Sequence, residues 1–316
     1  MKRTPLVSIC IPTFNRSNLL RLNLANLTSL SAFDDEVELV ISDNNSSDDT
    51  EIVVKEFIQN NPSKRIVYNR NVTNIRDKNF LKVLSLGKGR YLKLYNDYTR
   101  ITNEDLNVIK GCVKECIECQ CQLFFYNELR KKKIKGHEEI VLNDTDTFLK
   151  LVNNKSTWIS NFGCWSEQLA DLYQFDSKSA TQLLQVYWTL HLVSQSHNIH
   201  VVNMKYKNFE THDQNRTSYN FFQVHVSNYY QILKQYKDKG YLKQSTINYD
   251  KKRVLGDFVG WSIINYIILH RDPSFESQDS NLIIFKNFWN IPFFYVFPLY
   301  LLGKKLGSYL HDDEAI

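Results

Sequence analysis

Two apolar runs near the start of the chain, Val7-Ser8-Ile9-Cys10-Ile11-Pro12 and Val37-Glu38-Leu39-Val40-Ile41-Ser42, are rich in β-branched residues and stop abruptly at polar, turn-forming residues. Each then gives way to apolar positions at helical spacing. A parallel strand buried on both faces reads this way ahead of its crossover helix. The same alternation predicts strands near 6–12, 37–42, 65–68, 91–95, 122–126 and 199–203. Helices are expected near 17–29, 48–59, 75–86, 103–119, 146–153 and 179–196. Strand and helix in turn make an α/β fold, a mostly parallel open sheet covered on both faces. Ligands of such sheets lie beyond the carboxyl ends of the strands, where this chain places Thr13, Asn15, Arg16, Asp43 and Asn45.

From about Arg216 the pattern becomes helical and aromatic, so a sheet domain over 1–215 and a helical C-terminal region over 216–316 are expected. No charge falls between Lys286 and Lys304, but Pro292 and Pro298 interrupt the stretch, which is barely long enough to span a bilayer. An interfacial segment, with Trp and Tyr at headgroup level and lysines at both ends, fits this pattern. An ordinary core helix or a dimer contact is the alternative.

At 316 residues and 43% hydrophobic content the chain can bury a full core and is no disordered protein. A net charge of +5 is mild, and the lysines are dispersed except for Lys131-Lys132-Lys133-Ile134-Lys135, which reads as an exposed loop. A nucleic-acid partner would call for a denser basic stripe interleaved with aromatics. The balance fits an anionic lipid surface or a pyrophosphate carrier better. Cys112, Cys116, Cys119 and Cys121 crowd together, yet the first three fall on one helical stripe and no second ligand pair stands at zinc-like spacing. Core cysteines are expected, with reduced thiols in a cytosolic chain, since Met1-Lys2-Arg3-Thr4-Pro5 opens no signal peptide.

The first run, extended through Thr13-Phe14-Asn15-Arg16, and the second, ending Asp43-Asn44-Asn45-Ser46-Ser47-Asp48-Asp49-Thr50, resemble the nucleotide-sugar-binding half of family 2 glycosyltransferases with the GT-A fold. Asn71-Val72-Thr73-Asn74-Ile75, Asn79 and Leu86-Gly87-Lys88-Gly89-Arg90-Tyr91, leading to Asn96-Asp97, resemble that family's third stretch. Asn215-Arg216-Thr217-Ser218-Tyr219 and Asn228-Tyr229-Tyr230 look like its bacterial surface-polysaccharide branch, which includes abequosyltransferase-like enzymes. The resemblance implies a nucleotide-sugar donor, UDP-linked, and an acceptor on a glycan or polyprenyl diphosphate. It also implies transfer with inversion, and a place at the inner face of the cytoplasmic membrane. It assigns Asp43 to the nucleobase and Thr13, Asn15, Arg16, Asn45, Asn74, Asn96, Asp97 and Arg216 to the nucleotide sugar. A carboxylate at a strand end can accept the ring N–H of uracil, while Asp48 can cap the next helix with Glu51 as reciprocal partner.

The chain departs from the family where Tyr98 and Thr99 replace the further carboxylates of the metal motif. A divalent cation, Mg²⁺ or Mn²⁺, is then held by Asp97 with water. Otherwise Asp97 bonds the ribose, and Arg or Lys neutralises the phosphates. A second departure concerns the base that takes the acceptor's proton. Phe175-Asp176 is present, but Ser179-Ala180-Thr181-Gln182-Leu183-Leu184 brings no carboxylate after it. Asp176 leads Glu167 and Asp171 as candidate, its alternative being a helix cap. His212 and Asp213, in a segment where such folds close a loop over the nucleotide, are the other candidates, with Arg216 set to neutralise the leaving diphosphate. Against the enzyme stands a degenerate relative that holds nucleotide or glycan without turnover.

Overall fold

The computed structural model describes residues 4–129, 137–209, 217–263, 275–276 and 279–312. The chain forms two compact units, Met1–Asp144 with Lys155–His212, and Thr145–Asn154 with Asp213–Ile316.

The first unit opens with β1 (Val7–Thr13), α1 (Ser17–Ser29), β2 (Val37–Asp43), α2 (Thr50–Asn60), β3 (Ile66–Arg70), α3 (Lys78–Leu86) and β4 (Tyr91–Leu94). Then come a two-residue strand β5 (Thr99–Arg100), α4 (Asn103–Cys119), β6 (Gln122–Asn127) and β7 (Glu138–Leu142). Helix α5 (Thr145–Val152) belongs to the second unit, after which β8 (Gly163–Trp165), α6 (Leu169–Leu172), α7 (Leu184–Ser194) and β9 (Ile199–Met204) return to the first. The main sheet runs β3-β2-β1-β4-β8, parallel except for β8, and a second sheet runs β6-β9-β7. Every residue of β1, β2 and β4 is buried, as their near-continuous apolar runs require when helices cover both faces.

The strand order fixes where a ligand can go. The chain steps outward from β1 to β2 to β3 and then returns to the other side of β1 with β4. The order reverses between β1 and β4, and the carboxyl ends of strands at such a reversal are where open α/β sheets bind their ligands. At the opposite, amino ends of these strands close approach requires glycine: a Cβ on Gly89 would lie 2.5 Å from the Ser8 backbone nitrogen. Buried Glu38 ties the same corner, accepting from Ser8 Oγ (2.7 Å) and the Lys88 amide (2.8 Å).

The first four predicted strands and their crossover helices lie within a few residues of their expected places, and three differences have identifiable causes. Strand β8, three residues that pair antiparallel with β4, is too short to carry a period, and β7 runs antiparallel to β9. The helix expected over 179–196 begins at Leu184, because the chain stays in a 3₁₀ helix through Thr181 and Gln182 takes φ 57°. The expectation of reduced thiols fails at Cys116 and Cys121, which form a disulfide. Helix α4 ends at Gln120 in the left-handed region (φ 54°), and this turn brings Cys121 back beside Cys116, a proximity that helical spacing does not reveal. His200 completes a group of three with these sulfurs, but sulfurs bonded to each other are not thiolate ligands.

The second unit is helical in its described parts, with α8 (Tyr229–Asp238), α9 (Gln244–Arg253), α10 (Gly260–Ser262), α11 (Ser280–Phe288) and α12 (Phe293–Asp312), together with a short strand pair, Thr217–Asn220 with Phe275–Glu276. Among the described residues no helix is long and apolar enough to cross a membrane. Pro298 falls inside α12. Asp250 on α9 is fully buried and accepts from the Tyr229 hydroxyl (3.2 Å) and the Tyr230 hydroxyl (3.1 Å).

Burial pushes the Asp250 carboxyl up from 3.8 to about 7, against the two tyrosine hydrogen bonds and the Arg253 charge that favour ionisation. The folded state therefore binds a proton that the unfolded state has released. Its contribution to stability is complete below the unfolded value and is lost as the pH rises through the folded one. The urea midpoint should accordingly fall between pH 4 and pH 7, and Asp250→Asn should flatten that slope. A midpoint that rises over this range in the wild type, or an unaltered slope in the variant, would contradict the assignment.

Candidate functional site

At the β1–β4 switch point the polar side chains converge on one carboxylate. Asp97, only 3% exposed, follows β4 and accepts from Thr13 Oγ1 on its Oδ2 (3.0 Å) and from Arg16 Nη1 on its Oδ1 (3.0 Å). Burial pushes its carboxyl up, and the Arg16 guanidinium and the two hydrogen bonds work against that shift. Arg16 also lies over the Tyr98 ring, 5.6 Å from its centroid, and keeps part of its surface open to solvent. A half-exposed guanidinium held over a ring and a carboxylate is preorganised for a second anion.

The turn that carries Asp97 is held from behind. Asn23 of α1, fully buried, donates through Nδ2 to the carbonyls of Asn96 (3.4 Å), Asp97 (3.0 Å) and Thr99 (3.2 Å). Asn96 donates its amide and its Nδ2 to Ser160 Oγ (both 2.9 Å). Lys93, buried on β4, donates to the Ser160 carbonyl, and desolvation holds its amine well below the ordinary lysine value. Trp158 Nε1 donates to the Tyr98 hydroxyl (3.2 Å). Asn23, Lys93, Trp158 and Ser160 escape sequence reasoning because no motif marks them; only the chain path brings them under the turn.

The β1–α1 and β2–α2 turns are knitted together. Asn15 takes φ 51°, accepts from the Ser47 amide on Oδ1 (2.7 Å), and gives its own amide to Ser46 Oγ (2.8 Å). Asp48 accepts from the Ser17 amide (2.8 Å) and from Thr50 Oγ1 (2.6 Å), which draws its carboxyl below the usual range despite partial burial. Glu51 does not reciprocate as the expected capping partner; it turns to Lys55 (2.6 Å) and Arg70 (3.6 Å). Asn45, with φ 65°, is half-buried and makes no hydrogen bond among the described residues.

Asp43, at the end of β2, is completely buried. Its Oδ1 accepts from the Ser46 amide (2.8 Å) and its Oδ2 from the Tyr68 hydroxyl (2.9 Å), with Arg70 Nε 3.6 Å away. Desolvation and the Asp43 charge raise the Tyr68 phenol well above its ordinary value, so that hydroxyl stays a donor. Asn74 serves its own turn, its Oδ1 accepting from Asn44 Nδ2 (2.8 Å) and the Arg76 amide (2.8 Å). Asp176, exposed on a 3₁₀ helix, pairs with Lys78 Nζ (2.5 Å) at the start of α3 and shares no hydrogen bond with the Asp97 cluster. His212, Asp213 and Arg216 lie outside the described residues.

A divalent cation does not fit the Asp97 cluster as it stands. Both carboxylate oxygens are engaged, one by a guanidinium, and a cation would first have to displace Arg16. Among the described residues, Asp97 belongs to no group of three acidic, His or Cys ligands.

Residues 8–118 match the Glycosyl transferase family 2 model. Salmonella typhimurium abequosyltransferase RfbV is 34% identical over 106 residues, 33% of this chain. The aligned segment spans about a third (32%) of that relative's length. The fold is GT-A-like. A solved structure of S. aureus TarS 1-349 in complex with UDP superposes with a TM-score of 0.53 at 14% identity, over 84% of this chain and 75% of that one. TarS 1-349 in complex with UDP-GlcNAc gives 0.51 at 13% identity, over 89% and 79%.

Removing the Asn23 carboxamide leaves three carbonyls beneath Asp97 without their shared donor. The Asn96 carbonyl keeps the Thr99 amide (3.2 Å), so the loss falls on the Asp97 and Thr99 carbonyls, and Asn23→Ala should lower stability by about 2–4 kcal/mol, since each buried polar group left unsatisfied costs about 1–3 kcal/mol. Urea denaturation measures it, and a loss below about 0.5 kcal/mol, the size of an ordinary surface substitution, would mean that the turn is held by Ser160 alone.

Proposed function

We propose that the chain is a glycosyltransferase that moves a sugar from a nucleotide-sugar donor, UDP-linked, to an acceptor of a bacterial surface glycan carried on a polyprenyl diphosphate. The observation that carries the reading is the Thr13–Asp97–Arg16 cluster at the switch point of a glycosyl transferase family 2 domain. The similarity to an abequosyltransferase supports the surface-glycan acceptor.

In this reading the diphosphate lies against Arg16, whose guanidinium supplies the positive charge that the missing carboxylates would otherwise recruit through a metal. Asp97 accepts from the ribose, and Asn45 and Asn96 complete the polar wall. Asp43 meets the uracil by exchanging the Tyr68 hydroxyl for the ring N–H, an exchange that keeps its Oδ2 satisfied throughout. A base takes the acceptor hydroxyl proton while that oxygen bonds the anomeric carbon from the face opposite the diphosphate. The sugar–phosphate bond breaks, UDP leaves, and the configuration inverts. Asp176, oriented by Lys78, is the proposed base, with His212 and Asp213 as the alternatives. The enzyme works at the inner face of the cytoplasmic membrane as a peripheral protein, in keeping with its lysine-flanked aromatic C-terminal region.

The incomplete acidic motif favours a second reading, a module that binds nucleotide without turnover. Release of UDP from a nucleotide sugar in the presence of acceptor separates the two readings.

Three substitutions test the site. Asp43→Ala should weaken UDP binding by about 1–3 kcal/mol in calorimetry, while Tyr68→Phe, which frees an oxygen of Asp43 for the base, should leave it equal or tighter. Asp97→Asn keeps the shape but removes the charge that positions Arg16, and transfer should fall by roughly 10²-fold. Near-wild-type transfer in that variant, or a strict need for added Mn²⁺ in UDP binding, would move the phosphate site away from Arg16.

A further inference from the structure

The second unit contains a basic cavity that the transfer chemistry does not use. It measures about 380 Å³ and lies between α8, α9 and the turn after α11. Lys234 and Lys237 enter from α8, Lys251 from α9 and Asn290 from the turn, with Gln231 and Gln244 at the rim. No carboxylate lines it. Lys234 makes no ion pair among the described residues, and Lys237 pairs only with its neighbour Asp238 (3.3 Å). Lys251 has just the Asn290 Oδ1 (3.4 Å) and the Tyr230 ring (5.3 Å), and desolvation draws its ammonium below the ordinary lysine value. Three ammonium groups around one cavity repel one another, and side-chain amides beside them do not neutralise charge. The arrangement is complete only with an anion whose oxygens take several donors at once, as a phosphate does.

What adjoins the cavity says where that phosphate sits. Asn290 follows Trp289, and Trp289 is half exposed. Phe285 lies one turn back on α11, is also half exposed, and meets the Phe294 ring of α12 at 6.1 Å. On α12, Tyr295 and Leu299 are about two-thirds exposed. A row of aromatic and apolar side chains left to solvent beside a carboxylate-free lysine cavity matches a lipid interface in both of its parts: acyl boundary for the rings, anionic headgroup for the lysines.

We propose that this cavity is a phosphate-headgroup subsite, through which the second unit seats on an anionic phospholipid surface with Phe285, Trp289, Tyr295 and Leu299 inserted at the acyl boundary. The proposal deepens the peripheral-membrane reading above and is independent of the nucleotide site.

The test is co-sedimentation of the full chain with phosphatidylglycerol-containing vesicles, against vesicles of phosphatidylcholine alone. The wild type should partition onto the former. The triple variant Lys234→Gln, Lys237→Gln, Lys251→Gln should lose vesicle affinity by about a hundredfold, from three lysines at an anionic surface. A control that removes the same charge outside the cavity, Lys239→Gln, Lys243→Gln, Lys252→Gln, should lose far less. UDP calorimetry on the triple variant should match the wild type, which separates failure of this subsite from failure of the nucleotide reading. Equal losses in the two triple variants would reduce the effect to diffuse charge and overturn the subsite. Tight binding of inorganic pyrophosphate that the triple variant abolishes, without vesicle binding by the wild type, would make the occupant a soluble phosphate compound and overturn the membrane assignment.

Discussion

The described site depends on keeping one carboxylate buried. Asp97 sits at 3% exposure with a hydroxyl on one oxygen and a guanidinium on the other. A bare carboxylate at that depth would neutralise itself by taking a proton, so Thr13 and Arg16 make its charge tolerable. Those bonds fix the end of β1 against the end of β4, place Arg16 over Tyr98, and define the floor of the crevice. Asn23 does the matching work on the backbone, collecting the carbonyls of Asn96, Asp97 and Thr99. Removing the carboxylate would take away the acceptor that the Thr13 hydroxyl and the Arg16 guanidinium share.

The rest of the first unit extends this arrangement. The β1–α1 and β2–α2 turns exchange amide and side-chain hydrogen bonds through Asn15, Ser46, Ser47 and Asp48, so two loops behave as one rim. Left-handed backbone at Asn15 and Asn45 stands on that rim, and asparagine is among the few non-glycine residues that adopt it readily. Buried Lys93 and Glu38 anchor the sheet below through hydrogen bonds, Lys93 to carbonyl oxygens and Glu38 from a hydroxyl and an amide. A polar lower layer of this kind is what lets a short strand such as β4 end abruptly at a functional turn.

The second unit follows a different physical rule. Its buried Asp250 is satisfied by the hydroxyls of Tyr229 and Tyr230, while its helices α11 and α12 leave aromatic side chains exposed. The Asp250 carboxyl is buried, whereas the lysine cavity and the exposed rings face outward.

Sequence by itself determined the alternation of strand and helix, because a strand buried on both faces must be apolar throughout, and its end must be polar to meet solvent or ligand. It therefore located Thr13, Asn15, Arg16, Asp43 and Asn45 at strand ends, and the resemblance to family 2 glycosyltransferases added Asp97 and the incompleteness of the acidic motif. Tertiary structure decided what those residues do to one another. That Arg16 occupies Asp97, that Tyr68 occupies Asp43, and that Asn23, Ser160 and Trp158 support the turn are contacts between residues far apart in the chain, with no local signature. Three lysines from two helices meeting in one cavity are a further case, and Cys121 folds back on Cys116, five residues away, through one left-handed residue that helical spacing does not reveal. Local periodicity records which face of an element is buried, whereas the identity of the partner is set by where the whole chain goes.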